Sequence, residues 1–104
     1  MSVIVWKEII DRLDSFNEAD WRFAIIKADT MLEEIIDRMG YHGETLGEKL
    51  KMIEESDFTT LSQAWEAHKV RNKIAHEGDF VLSKREARRV VELYRQVFED
   101  FHLI

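Results

Sequence analysis

Residues 18–39 restrict the fold more than any other stretch of this sequence. Apolar side chains recur there at intervals of three and four (Trp21, Ile25, Ala28, Leu32, Ile35, Ile36 and Met39). That period belongs to one face of an α-helix and conflicts with the alternation of a strand. The chain contains no proline, so nothing interrupts the helix before Gly40, a natural stop. Asn17 stands where an N-cap belongs, with Asp20 at the third helical position, and Phe16 and Trp21 are spaced for a hydrophobic staple. Asp29, Glu33, Glu34 and Asp37 are expected on the solvated side. They have no His or Cys companions at ligand spacing, so no metal is assigned to them.

The same period runs through the rest of the chain. Residues 3–15 place Val3, Trp6, Ile10 and Leu13 at helical spacing, with Ile9 and Phe16 widening the stripe. After the turn Tyr41-His42-Gly43-Glu44, Thr45 and Glu48 form a capping-box pattern that opens a short helix through about Glu55, with Leu46, Leu50 and Ile53 inward. Thr60 with Gln63 is expected to cap a fourth helix, which Gly78 closes. Ser83 with Glu86 caps a fifth, whose stripe is Ala87, Val90, Val91, Tyr94, Val97, Phe98 and Phe101. Leu82 and Ala87 repeat the staple there. No stretch alternates like a strand. Short connections between long helices favour antiparallel neighbours. The expected fold is all-α, an up-and-down bundle of four principal helices plus one short helix, in a single domain spanning residues 1–104.

Composition removes several function classes. The chain has no cysteine, which excludes disulfides, zinc–thiolate sites and thiol catalysis. No apolar run approaches the ~20 residues of a membrane span, so a cytoplasmic protein without membrane association is expected. The net charge of −6 argues against indiscriminate coating of nucleic acid. It is unevenly spread: residues 68–95 hold eight basic and four acidic side chains, a balance of +4, against −10 for the remainder. A local basic surface of that kind suits a short stretch of RNA or an acidic partner, although a charge run also describes an ordinary solvated helix face.

The most informative oddity lies in the fourth helix. On a wheel of 100° per residue, Leu61, Ala64, Ala67, Val70, Ile74 and Ala75 share one broad arc, and Arg71 falls in the middle of it. His68 lies on the arc as well. Asn72 and His76 sit at its edge one turn apart, close enough for their side chains to touch. A guanidinium in an apolar arc is costly unless something polar or anionic meets it. Either a ligand does so, or an acidic side chain of the second helix. His68 reads first as a packed, hydrogen-bonded core residue, and Trp65, on the same edge as Asn72 and His76, reads first as packing.

Arg71, Asn72 and His76, within Val70-Arg-Asn-Lys-Ile-Ala-His-Glu-Gly78 of a small all-helical chain, resemble the Arg-Asn-x-x-x-His motif of the HEPN superfamily. The resemblance extends over most of the chain by helix order and length, but only over this segment by motif. It implies a homodimer whose motif helices face each other across a shared cleft. It also implies metal-independent RNA cleavage in active members, such as the toxin half of a toxin–antitoxin pair or a defence ribonuclease. Other members bind RNA, a nucleotide or a protein partner without cutting.

The residue types fit that chemistry independently. Cleaving RNA through its own 2′-hydroxyl needs a base, an acid for the leaving 5′-oxygen and positive donors for the phosphate. Histidine performs either proton transfer near neutral pH, and a guanidinium pairs with phosphate oxygens. His76, near a helix C-terminus where the dipole favours positive charge, suits the acid or a phosphate contact. Asn72 would orient the imidazole or donate to the phosphate. A two-fold dimer would bring two such histidines and two arginines together. The candidate catalytic residues are therefore Arg71, Asn72 and His76. Lys69, Lys73, His68, Trp65 and Arg88 are candidate substrate contacts, and no metal or cofactor is expected.

Overall fold

A computed structural model describes residues 3–104, with side chains from Val5 onward. The side chain of Val3, first in the N-terminal stripe, lies outside the described residues. The chain forms α1 (Val3–Leu13), α2 (Glu18–Arg38), α3 (Leu46–Lys51), α4 (Leu61–His76) and α5 (Lys84–Asp100), with no strand among the described residues.

Every other helix packs on α2. Its sequence explains why: Ala24, Ile25, Ala28, Met31, Leu32, Ile35 and Ile36 are all buried, so its apolar strip is wide enough for neighbours on more than one side. The small side chains at 24 and 28 let backbones approach closely. Ile9 and Leu13 of α1, Ala64, Ala67 and Val70 of α4, and Val90, Val91, Tyr94, Val97 and Phe98 of α5 join them in one continuous core. The Trp6 ring meets Phe98 edge-on at 5.6 Å, and Phe58 meets Phe101 at 4.9 Å. No helix is long and apolar enough to cross a membrane among the described residues.

Side-chain pairings fix the helix directions. Between α4 and α5, Thr60 bonds Asp100, Gln63 bonds Gln96 and Glu66 pairs with Arg89. Partners advance in opposite senses, so these helices are antiparallel. Between α2 and the α5 region, Glu18 lies at the Leu82 amide and Asp29 at the Tyr94 hydroxyl. Those partners advance together, so α2 and α5 are parallel. Arg12 at the end of α1 meets Asp20 at the start of α2, while Trp6 lies near the far end of α5. The long helices of this bundle alternate in direction.

The caps expected from sequence form in part. Asn17 Oδ1 accepts the Ala19 amide at 2.9 Å, Thr45 Oγ1 accepts the Glu48 amide, and Ser83 Oγ accepts the Glu86 amide. Gly40 takes the left-handed backbone, φ 91°, that ends α2. Four expectations fail. Phe16 is 94 % exposed, so the first staple does not form. The polar turn decides the entry angle instead: the Trp21 indole N–H donates to the Ser15 carbonyl and Ser15 Oγ donates to Asp20. Thr60 makes no cap, because its hydroxyl is committed to Asp100. Gly78 does not adopt the left-handed closure, and α4 ends at Glu77 in an extended conformation. The third helix stops at Lys51 rather than near Glu55, although Ile53 is still buried.

At the end of α5, the Leu103 amide reaches back to the Phe98 carbonyl, which forces His102 to φ 59°. A side chain in that region costs roughly 1–2 kcal/mol, and glycine recovers that at an entropic cost of about 0.5–1 kcal/mol. His102→Gly is therefore expected to raise stability by up to about 1 kcal/mol, read as a higher urea midpoint with an unchanged slope.

Candidate active site

The site is built around one buried carboxylate. Asp29, expected on the solvated side of α2, is 5 % exposed. It sits one turn beyond Ile25 and beside Ala28, at the line where α2 meets both α4 and α5. A charge there must be matched. The Tyr94 hydroxyl of α5 donates to its Oδ1 at 2.7 Å, and His68 Nδ1 of α4 lies 3.1 Å from both oxygens. Arg71 Nε lies 3.5 Å from Oδ2, at ion-pair rather than hydrogen-bond range. No buried side-chain polar atom is left without a partner among the described residues.

From Asp29 the contacts run round a closed ring. His68 Nε2 faces Asn72 Nδ2 at 3.4 Å, Arg71 Nη1 donates to Asn72 Oδ1 at 3.3 Å, and Arg71 returns to Asp29. The helix supplies the spacing. His68, Arg71 and Asn72 are three and four residues apart, so one face of α4 presents all three to α2. An Asn72 amide that donates to Nε2 and accepts from Arg71 fits a His68 tautomer with its proton on Nδ1, directed at Asp29.

The ring opens onto a cleft of about 400 Å³ bordered by α2, the start of α3 and α4. Arg71, Asn72, His76 and His68 all line it, so the structure brings together every motif residue named from the sequence. Asn72 turns to His68 and Arg71, and no Asn72–His76 hydrogen bond forms among the described residues. His76, the last residue of α4, is exposed at the cleft's rim. The space beside Ala64 and Ala67 is occupied by helices of the same chain, with both alanines fully buried.

The remaining candidates separate from it. Trp65 and Lys69 border a neighbouring groove of about 610 Å³ with Leu61 and Glu66, although the Trp65 ring still lies edge-on to His68 at 6.5 Å. Lys73 is exposed, and Arg88 is exposed on α5 away from the cleft. Much of the basic stretch is already paired: Arg89 with Glu66 and Glu86, Arg95 with Glu92 and Glu99. The carboxylates of Asp29, Glu33 and Glu44 line the cleft itself. Lys49, nearly buried on α3, spans Glu33 and Asp37 at 3.1 and 3.2 Å. The bond to Glu33 holds its ammonium above the ordinary lysine range. No group of three or more His, Asp or Glu side chains could hold a metal ion among the described residues.

Removing the carboxylate should leave its buried partners unmatched. Asp29→Ala is expected to cost about 3–5 kcal/mol, against about 1.5–3 kcal/mol for Tyr94→Phe, both read from urea unfolding. Burial, with Asp29 beside it, pushes the Tyr94 hydroxyl well above the phenol range. In the unfolded chain it ionises near pH 10 while the folded chain keeps its proton, so stability falls as pH rises above that value. Between about pH 8 and about pH 11, Tyr94→Phe should lose less stability than the wild type. Comparison of the chain with protein-family models, curated proteins and solved structures finds no match.

Proposed function

We propose that this chain is a HEPN-like domain that cleaves RNA without a metal ion, acting as a homodimer with a composite Arg/Asn/His cleft in the manner of a toxin or defence ribonuclease. The observation that carries the reading is that Arg71, Asn72 and His76 border one cleft with a second imidazole behind them. Arg71 has a side-chain exposure of 34 %, so its guanidinium is tethered on one side by Asp29 and remains open to a phosphate on the other. His76 at the rim is free to protonate a leaving 5′-oxygen. Asn72 fixes the guanidinium through its amide oxygen. Two such clefts facing each other would double the positive donors around a bound phosphate.

One observation favours a second reading. Glu33 and Glu44 line the same cleft, and they repel a phosphodiester. On that ground the domain would be a non-catalytic HEPN-like module that binds RNA, a nucleotide or a protein partner.

Light scattering combined with an RNA-cleavage assay in excess EDTA separates the two. A dimer that cuts RNA, with His76→Ala reducing the rate by about 100-fold or more, is the expected result. His76 is exposed, so its removal should change stability by no more than about 0.5 kcal/mol. A dimer that binds RNA and cuts none would favour the second reading, and a monomer would remove the composite cleft.

A further inference from the structure

We propose that His68 is the proton acceptor of this cleft, taking the proton from the 2′-hydroxyl of an RNA strand whose phosphate rests on Arg71. The inference rests on the ribonuclease reading and assigns its base. Three features converge on the imidazole. Asp29 engages Nδ1 with both carboxylate oxygens at 3.1 Å, which sets the tautomer and leaves the Nε2 lone pair facing the cleft. Among the described residues Nε2 has one hydrogen-bond contact, Asn72 Nδ2, at a long 3.4 Å that an incoming hydroxyl can replace. On the opposite wall stands Gly47, where an added Cβ would lie 3.6 Å from Nε2. Glycine in the first turn of α3 weakens that helix, yet it keeps the approach to Nε2 clear.

The step balances within one chain. Nε2 of His68 takes the 2′-hydroxyl proton as the 2′-oxygen bonds to phosphorus. The bond from phosphorus to the 5′-oxygen breaks, and His76, entering as the imidazolium, gives that oxygen its proton. The products are a 2′,3′-cyclic phosphate and a free 5′-hydroxyl. The new imidazolium at His68 faces the Asp29 carboxylate. His68 and His76 stand about 12 Å apart along the axis of α4, with Arg71 and Asn72 between them. The acid and base then belong to one subunit, and dimerisation is not required to supply the second imidazole.

The test is single-turnover cleavage of an RNA oligonucleotide in EDTA across about pH 5 to about pH 9. The proteins compared are the wild type, His68→Gln, Gly47→Ala and His76→Ala. Asp29 and Glu33 of α2, Glu44 before α3, and Arg71 and His76 of α4 line the cleft with His68, and Tyr94 of α5 bonds Asp29 behind it, so the profile is read as the change between variants. His68→Gln should lower the rate by about 100-fold or more and abolish its rise on the acidic side. Because His68 is buried and that variant can fail to fold, Gly47→Ala is the second arm. It should leave the melting temperature unchanged or higher while slowing cleavage about tenfold, since small misplacements of reacting groups cost up to 10²-fold. A His68→Gln enzyme that keeps its rate and its acidic limb, or an undiminished Gly47→Ala, overturns the assignment and leaves the ribonuclease reading standing. A wild type that cuts no RNA ends both.

Discussion

A carboxylate buried between three helices sets the terms for this structure. Burying an unpaired charge costs more than a domain of this size can lose, so α4 and α5 must approach α2 in the one register that brings His68, Arg71 and Tyr94 to Asp29. Apolar contacts hold the helices together, but many registers would bury leucines equally well. The polar ring distinguishes among them. The chain thereby obtains, at one position, both a specific helix alignment and a set of oriented side chains beside open solvent.

The charges elsewhere follow a different pattern. Arg12, Arg22, Arg89 and Arg95 each lie against a carboxylate, mostly near the surface. Each such pair contributes little to stability. Two of these arginines lie within residues 68–95, and their pairing with Glu66 and Glu99 outside that stretch reduces the positive field that its balance of +4 suggested. Lys69, Arg85 and Arg88 are without an ion-pair partner among the described residues, Lys73 lies near enough to Glu86 to favour its charged form, and all four cations are exposed. Attraction of a polyanion would therefore depend on a few dispersed cations and on Arg71, rather than on a continuous basic face.

Much of this was legible beforehand. Three- and four-residue spacing located the helices because helix burial depends on period, and the α5 stripe from Ala87 to Phe98 is buried as the sequence implied. The oddity of Arg71 in an apolar arc pointed to an anionic partner, and an acidic side chain of the second helix was one of the alternatives. Nothing in the local pattern singles out Asp29 as that partner. It shares its helix with Glu33, Glu34 and Asp37, and a wheel cannot say how wide the buried strip becomes when a helix is covered by several neighbours. The signal was available in the width itself: Ile25 and Leu32, one turn to either side of Asp29, belong to the apolar stripe and carry it onto that face. The Phe16 staple failed for a comparable reason, since local spacing cannot weigh an aromatic contact against the hydrogen bonds of Ser15. Sequence reads His68 first as a core residue, and the structure makes it buried and cleft-lining at once.

The shortness of α3 has a consequence for motion. Six residues are too few for a helix to hold its own shape in water, so α3 persists through its buried Leu46 and Leu50 and through the double tether of Lys49. This segment forms the wall of the cleft opposite α4. Regions with few buried contacts open first and most often. The cleft is thus expected to be firm on its α4 side and more mobile on its α3 side, with amides of α3 exchanging before those of α2 and Lys49 as the tether that opening must release.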